Sequence, residues 1–210
     1  HAVLQRKGFL LVDSGATYMD GTTDITRTYP LGELTEDERL FYTWTLQCHI
    51  DIAKAVWLDY CDCHMLDTIA REPLWRHLIN YRCGTGHSVS HVGNVHEGPH
   101  ALNGRNTTVF KPGMIVTDEP GVYEGGVVGI RIENELECYH KASNQYGEFL
   151  AFRPIMFVPI ATSPIVPGVL SRDELDWLNA YHREVFEKLA PRLTEDERDW
   201  LAKKCAAIGA

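Results

Sequence analysis

Five residues stand in local sequence that would aim side chains at a shared site. Asp13 lies in Val12-Asp-Ser-Gly-Ala-Thr-Tyr18 and Asp24 in Thr23-Asp-Ile-Thr-Arg-Thr28. His87 closes Gly84-Thr-Gly-His87, Glu119 sits in Thr117-Asp-Glu-Pro-Gly-Val-Tyr123, and Glu133 in Gly129-Ile-Arg-Ile-Glu-Asn134. Any one of these acids alone is an ordinary strand or turn residue. Together with one imidazole they form a donor set for two divalent cations, rich in oxygen and therefore suited to Mn²⁺ first, then Co²⁺, Fe²⁺ or Zn²⁺. Two such ions roughly 3.5–4 Å apart can share a water, lower its pKa to about 7 and polarise a carbonyl. Glu119 beside that water could take its proton and return it to a leaving amine, which is hydrolase chemistry.

An internal echo strengthens the reading. Asp13-Ser-Gly…Tyr18 and Glu119-Pro-Gly-Val-Tyr123 share a carboxylate, one residue, a glycine and a tyrosine shortly after, and each leads to a second carboxylate in an alternating run. Alternation predicts strands and the glycines predict turns, so each half reads as a hairpin with one carboxylate per strand on a common face. Between the halves, His96 in Asn94-Val-His-Glu-Gly-Pro99 shares a Gly-rich stretch with His87. One histidine could ligate while the other donates a hydrogen bond to a substrate oxyanion. His91 and His100 read as loop or rim residues. Arg131, two residues before Glu133, falls on the same strand face; on spacing alone it could pair with a ligand carboxylate, with substrate, or merely with solvent.

The elements that must position these groups follow from capping and periodicity. Residues 8–29 predict a strand pair turning at Asp20-Gly21. Thr35-Glu-Asp-Glu38 is a capping box, and apolar spacing predicts a helix through Trp57. A second helix is expected from His64 to about Leu78, then loop and short strands over 82–106, and a hairpin over Met114–Cys138. Phe149–Ile160, carrying Pro154 and Pro159, predicts an edge strand. Ser171-Arg-Asp-Glu174 and Thr194-Glu-Asp-Glu197 open two further helices. Hairpins and helices in separate runs make an α+β pattern. The expected division is a catalytic unit over 1–160 and a helical extension over 161–210.

Composition sets bounds. The chain has 210 residues, 44% hydrophobic, with formal net charge −9, enough for one sizeable core and ill-suited to a nucleic-acid surface. No apolar run is long enough to cross a bilayer, and no signal peptide is evident. Six cysteines show no framework spacing, so reduced thiols in the cytoplasm are expected. Cys61-Asp-Cys-His64 lacks a completing pair for a closed zinc site and reads as loop and core. Trp75 is either core or an interface anchor, with the interface favoured.

These motifs resemble those of the pita-bread dinuclear metallopeptidases, the family of methionine aminopeptidase, prolidase and aminopeptidase P. The order Asp, Asp, His, Glu, Glu matches its five ligands at Asp13, Asp24, His87, Glu119 and Glu133. Asp20-Gly-Thr-Thr-Asp-Ile-Thr-Arg-Thr28, Asn94–Pro99, Gly129–Asn134 and Asp176-Trp-Leu-Asn-Ala-Tyr-His182 look most like the large cytosolic aminopeptidase P type, over about Gly8–Trp200. The resemblance implies a pita-bread fold, two bound metals, a homodimer, and release of an N-terminal residue that precedes proline. It implies His96 as the substrate-contacting histidine, Glu119 as proton shuttle, and Arg131 and Tyr123 as neighbours shaping the site. Two departures stand out. Relatives carry glycines where this chain has Ser88 and Ser90, which would strain the backbone wherever φ is positive. Family members also have a helix and strands of the catalytic domain before the first ligand, carrying a further substrate-site histidine for which His1 is a poor substitute, and amino-terminal domains besides. The chain therefore reads as most of a catalytic domain without its first portion, with an exposed apolar face favouring self-association or a companion segment. Rival readings are a prolidase, confined to dipeptides, and an inert peptide-binding module or inactive fragment.

Overall fold

A computed structural model describes residues 3–209; His1 lies outside them. Strands β1 (Phe9–Tyr18) and β2 (Gly21–Pro30) form a two-stranded antiparallel hairpin that turns at Met19-Asp20. Helix α1 (Glu36–Ala53) begins at the predicted capping box, with the Thr35 N–H donating to Glu38 Oε2 at 2.7 Å and the Glu38 N–H to Thr35 Oγ1 at 3.2 Å. It ends at Ala53 rather than Trp57. Apolar spacing continues past the helix, but Trp57 sits in strand β3 (Val56–Leu58), whose pairing captures the chain. Asp62 caps α2 (Cys63–Trp75), its side chain accepting from the Met65 N–H at 2.9 Å. Cys63 is fully buried core, while Asp62 caps a helix where the sequence suggested loop.

Strands β4 (Gly86–Ser88), β5 (Glu97–Leu102), β6 (Ile115–Asp118), β9 (Asn134–Asn144) and β10 (Gly147–Pro154) join β3 in a six-stranded sheet of order β3-β10-β9-β6-β4-β5. β10 lies inside this sheet, correcting the edge-strand expectation. Pro154 only terminates it, and residues 155–160 are irregular. A small hairpin, β7 (Gly121–Glu124) with β8 (Val128–Arg131), projects from between β6 and β9. Helices α3 (Arg172–Leu189) and α4 (Glu195–Lys204) start at the two remaining predicted caps.

α1 is the central post. One face packs with α2 against the sheet through Ile52, Leu66, Val116, Leu136 and Phe152. Another packs against α3 and β8 through Tyr42, Leu46, Ile130, Leu178 and Val185. Among the described residues no helix is long and apolar enough to cross a membrane. Ser88 and Ser90 do not have positive φ, so the serine substitutions leave the loop unstrained. Trp75 ends α2 partly exposed, its Nε1–H donating to Asn80 Oδ1 at 3.2 Å.

Candidate metal centre

Both carboxylate pairs lie on hairpins. In the first, Asp13 faces Thr26 and Asp24 faces Gly15, so the aspartates take diagonal positions on one face. In the second, Asp118 faces Asn134 and Gly121 faces Arg131. Glu119 and Glu133 therefore stand opposite each other, in the gap where β6 passes into β7 and β8 into β9. Like charges directly opposed disfavour a closed rung, and Pro120 has no N–H to give. The freed backbone donors turn elsewhere: the Glu119 N–H goes to the Thr85 carbonyl at 2.7 Å and the Glu133 N–H to the Thr26 carbonyl at 3.1 Å. The latter bond, with Thr28 Oγ1 donating to the Arg131 carbonyl at 2.8 Å, docks the first hairpin onto the second.

β4 delivers His87. Gly86 before it lies so close to β6 that a Cβ would come within 1.8 Å of the Thr117 carbonyl oxygen, which requires glycine. The His87 N–H donates to Thr117 Oγ1, and that hydroxyl donates to Glu119 Oε1, each at 2.9 Å. Nδ1 lies 3.0 Å from the Ser88 carbonyl, which fixes its proton there and leaves Nε2 aimed at the acids. Nε2 is 3.1 Å from Glu119 Oε1 and 3.4 Å from Asp24 Oδ2. His96, on the exposed approach to β5, brings its ring centroid to 3.7 Å from that of His87.

Arg131 stands amid the acids. Its Nη2 pairs with Asp13, Nη1 donates to the Tyr123 hydroxyl at 2.7 Å, and Nε donates to Thr26 Oγ1 at 3.0 Å. Nε is also 3.8 Å from Glu119 and 4.0 Å from Glu133. The Thr26 hydroxyl in turn donates to Glu133.

Donor atoms converge in overlapping triads whose members lie within 4.8 Å of one another: Asp13, Asp24 and Glu133; His87, Glu119 and Glu133; and Asp24, His87 and His96. The first two share Glu133 and together use all five predicted ligands. The two triads could each hold a cation, with Glu133 common to both. Glu133 Oε1 and His87 Nε2 are buried without a hydrogen-bond partner among the described residues, and each faces further electron-pair donors. Such a set fits divalent cations. Burial first, then the Glu119 charge, raises the Glu133 pKa to about 8. For His87, burial opposes the charged form, but the Asp24 and Glu119 carboxylates outweigh it and raise the pKa to about 10.

All five predicted ligands, His96, Arg131 and Tyr123 meet at this place. His91 remains exposed loop. His100 does not belong to the rim: it is buried on β5, its Nε2 bonded to the Ile115 carbonyl at 2.7 Å. Sequence reading missed Thr26, Thr117, His49, Asp118, Asn134 and Glu135. Thr26 had a signal, lying two residues from Asp24 and so on its face. Glu135, buried and accepting the Asp24 N–H at 2.8 Å, had the same signal, lying two residues after Glu133.

The profile of metallopeptidase family M24 matches residues 1–139, and that of the C-terminal region of peptidase M24 matches residues 148–208. The chain is 39% identical to the probable Xaa-Pro aminopeptidase P of Laccaria bicolor over 99% of its own length and 34% of that protein's. It is 44% identical to aminopeptidase P2 of Arabidopsis thaliana over 91% of this chain and 28% of the plant protein. It thus spans about a third of the length of these curated relatives. Among solved structures, the X-prolyl aminopeptidase of Caenorhabditis elegans, described as cytosolic with a di-nuclear active site, superposes with TM-score 0.88 at 40% identity, covering 94% of this chain and 33% of that one. Prolidase from Pyrococcus furiosus is a more distant match, with TM-score 0.57 and 32% identity over 62% of this chain and 39% of that one. The chain belongs to metallopeptidase family M24 and has its pita-bread fold.

Proposed function

We propose that this chain is the catalytic core of a metal-dependent aminopeptidase that hydrolyses the bond between an N-terminal residue and a penultimate proline. The observation that carries the reading is the convergence of two donor triads on Glu133, in a chain about 40% identical to Xaa-Pro aminopeptidases. Asp13, Asp24, His87, Glu119 and Glu133 would hold two divalent ions, Mn²⁺ being the best match to this donor set and Zn²⁺, Co²⁺ or Fe²⁺ the alternatives. Bound there, the ions supply Lewis acidity that makes water nucleophilic near neutral pH and polarises a carbonyl.

The side chains divide the remaining work. Glu133, with a side chain 1% exposed, is a fixed donor. Glu119, at 21%, can reach substrate; its carboxylate accepts the water proton and hands it to the leaving proline nitrogen. The Thr117 hydroxyl holds Glu119 Oε1 in place for this task. His96 donates to the oxygen that gains charge as the carbonyl is attacked. Arg131 orients Asp13 and Tyr123. An Xaa-Pro amide is tertiary and conformationally restricted, which calls for a dedicated site. We further place residues 161–210 as a buttress on the catalytic unit of residues 1–160, and the protein in the cytoplasm as a homodimer.

Hydrolysis of matched Xaa-Pro-Yaa and Xaa-Ala-Yaa tripeptides, with Mn²⁺ and with chelator, tests the assignment. Cleavage of the proline peptide alone, abolished by chelation, is expected. Cleavage of Xaa-Pro dipeptides but no tripeptide would replace it with the prolidase reading. No cleavage beside intact metal binding would leave a peptide-binding module.

A further inference from the structure

Behind the acidic cluster, on the side away from solvent, runs a continuous chain of buried polar groups. His49, fully buried in the middle of α1, has Nδ1 3.0 Å from Asp118 Oδ2 and Nε2 3.3 Å from Asn134 Nδ2. Asn134 Oδ1 accepts from Arg27 Nη2 at 2.8 Å and from the Tyr181 hydroxyl at 3.2 Å. Arg27 also donates to the carbonyls of Glu133 and Thr26, and to those of Val158 at 2.7 Å and Pro159 at 3.2 Å.

Arg27 sets the direction of donation between Asn134 and His49. A guanidinium only donates, so the Asn134 carbonyl oxygen must face Arg27 and its NH₂ must face His49. His49 then accepts at Nε2, carries its proton on Nδ1 and donates it to the Asp118 carbonyl at 3.3 Å, with carboxylate Oδ2 at 3.0 Å. Asp118 precedes Glu119, Asn134 follows Glu133, and the two are register partners in the β6–β9 ladder. His49 thus grips both strands at the rung directly beneath the opposed glutamates.

Apolar residues of similar volume would hold α1 to the sheet without desolvating three polar side chains. What the polar chain adds is direction: it sets where the backbone at 118 and 134 lies and how it is turned. We propose that His49 is a positioning residue for the metal centre, clamping Asp118 to Asn134 so that Glu119 and Glu133 keep the separation two cations require. Arg27 extends the clamp to Val158, Pro159 and, through Tyr181, to α3, coupling the C-terminal helical region to the same two ligands. The inference rests on Glu119 and Glu133 being ligands, as argued above.

Two substitutions in the full-length protein separate a clamp from mere packing. His49→Phe preserves volume and removes both hydrogen bonds. His49→Asn leaves a void but can keep the bond to Asp118. Metal affinity by calorimetry and the visible spectrum of the Co²⁺-loaded protein are read beside the melting temperature of the metal-free form. The clamp predicts metal affinity about 10–100-fold weaker in His49→Phe, the scale for groups that orient ligands, with an altered Co²⁺ spectrum. It predicts a smaller loss in His49→Asn, even though that variant melts lower. Native affinity and spectrum in whichever variant folds would overturn the proposal, as would affinity that simply follows melting temperature. Should the unsubstituted protein bind no metal, the ligand assignment itself fails and the clamp with it. That outcome differs from two ions bound equally well by protein and variants, which sinks the clamp alone.

Discussion

The first hairpin keeps an unbroken register from Phe9 opposite Pro30 to Tyr18 opposite Gly21, while the second loses its pairing where its carboxylates stand. Diagonal placement lets Asp13 and Asp24 share a face without a backbone defect, and Asp13 stays half-exposed, tethered by Arg131. Direct opposition forces Glu119 and Glu133 into a gap, where the carbonyls of Thr85 and Thr26 take their N–H groups and the hydroxyls of Thr117 and Thr26 take their carboxylates. The lesson is that backbone pairing orients the aspartates, whereas buried side chains orient the glutamates. Glu133 is accordingly buried, and its pKa is raised by that burial and by the neighbouring acids.

Substitutions that break this contrast should rank by burial. Glu133→Gln, at the carboxylate common to both triads, should abolish binding of both ions and lower Xaa-Pro cleavage by at least about 10³-fold. The same change should raise the melting temperature of the metal-free protein, because a buried carboxyl crowded by other acids is removed. Asp13→Asn touches only one triad; metal analysis should show one ion retained, with a smaller loss of turnover. Thr26→Val keeps shape but removes the hydroxyl between Arg131 and Glu133, and calorimetry should show metal affinity lower by about 10–100-fold. A larger effect from Asp13→Asn than from Glu133→Gln would reverse the contrast.

The pH dependence sharpens it further. In the metal-free protein Glu133 has its pKa raised from 4.5 to about 8, so the penalty for burying its charge is absent below about pH 4.5 and complete above about 8. His87 is raised from 6.5 to about 10; its contribution is full below pH 6.5 and lost as pH climbs through 10. Both groups make metal-free stability fall between about pH 5 and 10. Cations need both groups deprotonated, so binding releases protons and tightens as pH rises. Melting curves with and without Mn²⁺ should therefore diverge as pH increases; a constant difference would contradict these shifts.

The five proposed ligand positions were legible because local chemistry constrains the sequence around them: a glycine that must let β4 approach β6, a proline that cannot close a rung, alternation along β2. The helix caps at Thr35, Ser171 and Thr194 were legible for the same reason. His49 was not. Its partners are distant in sequence, and on a helix buried nearly all round an imidazole carries no local mark. The overrun to Trp57 arose because Ala53, Ala55 and Trp57 continue an apolar pattern while the stop comes from β3 pairing with β10. Pro154 misled because a strand's last residue and an edge residue are equally tolerant of a missing N–H.

The most direct test of the account is a calorimetric titration of chelator-stripped protein with Mn²⁺ at pH 7, repeated in buffers of different ionisation enthalpy. Two ions per chain, with protons released as Glu133 and His87 give up theirs, is the predicted result. One ion, or none, would contradict a centre shared between the two hairpins.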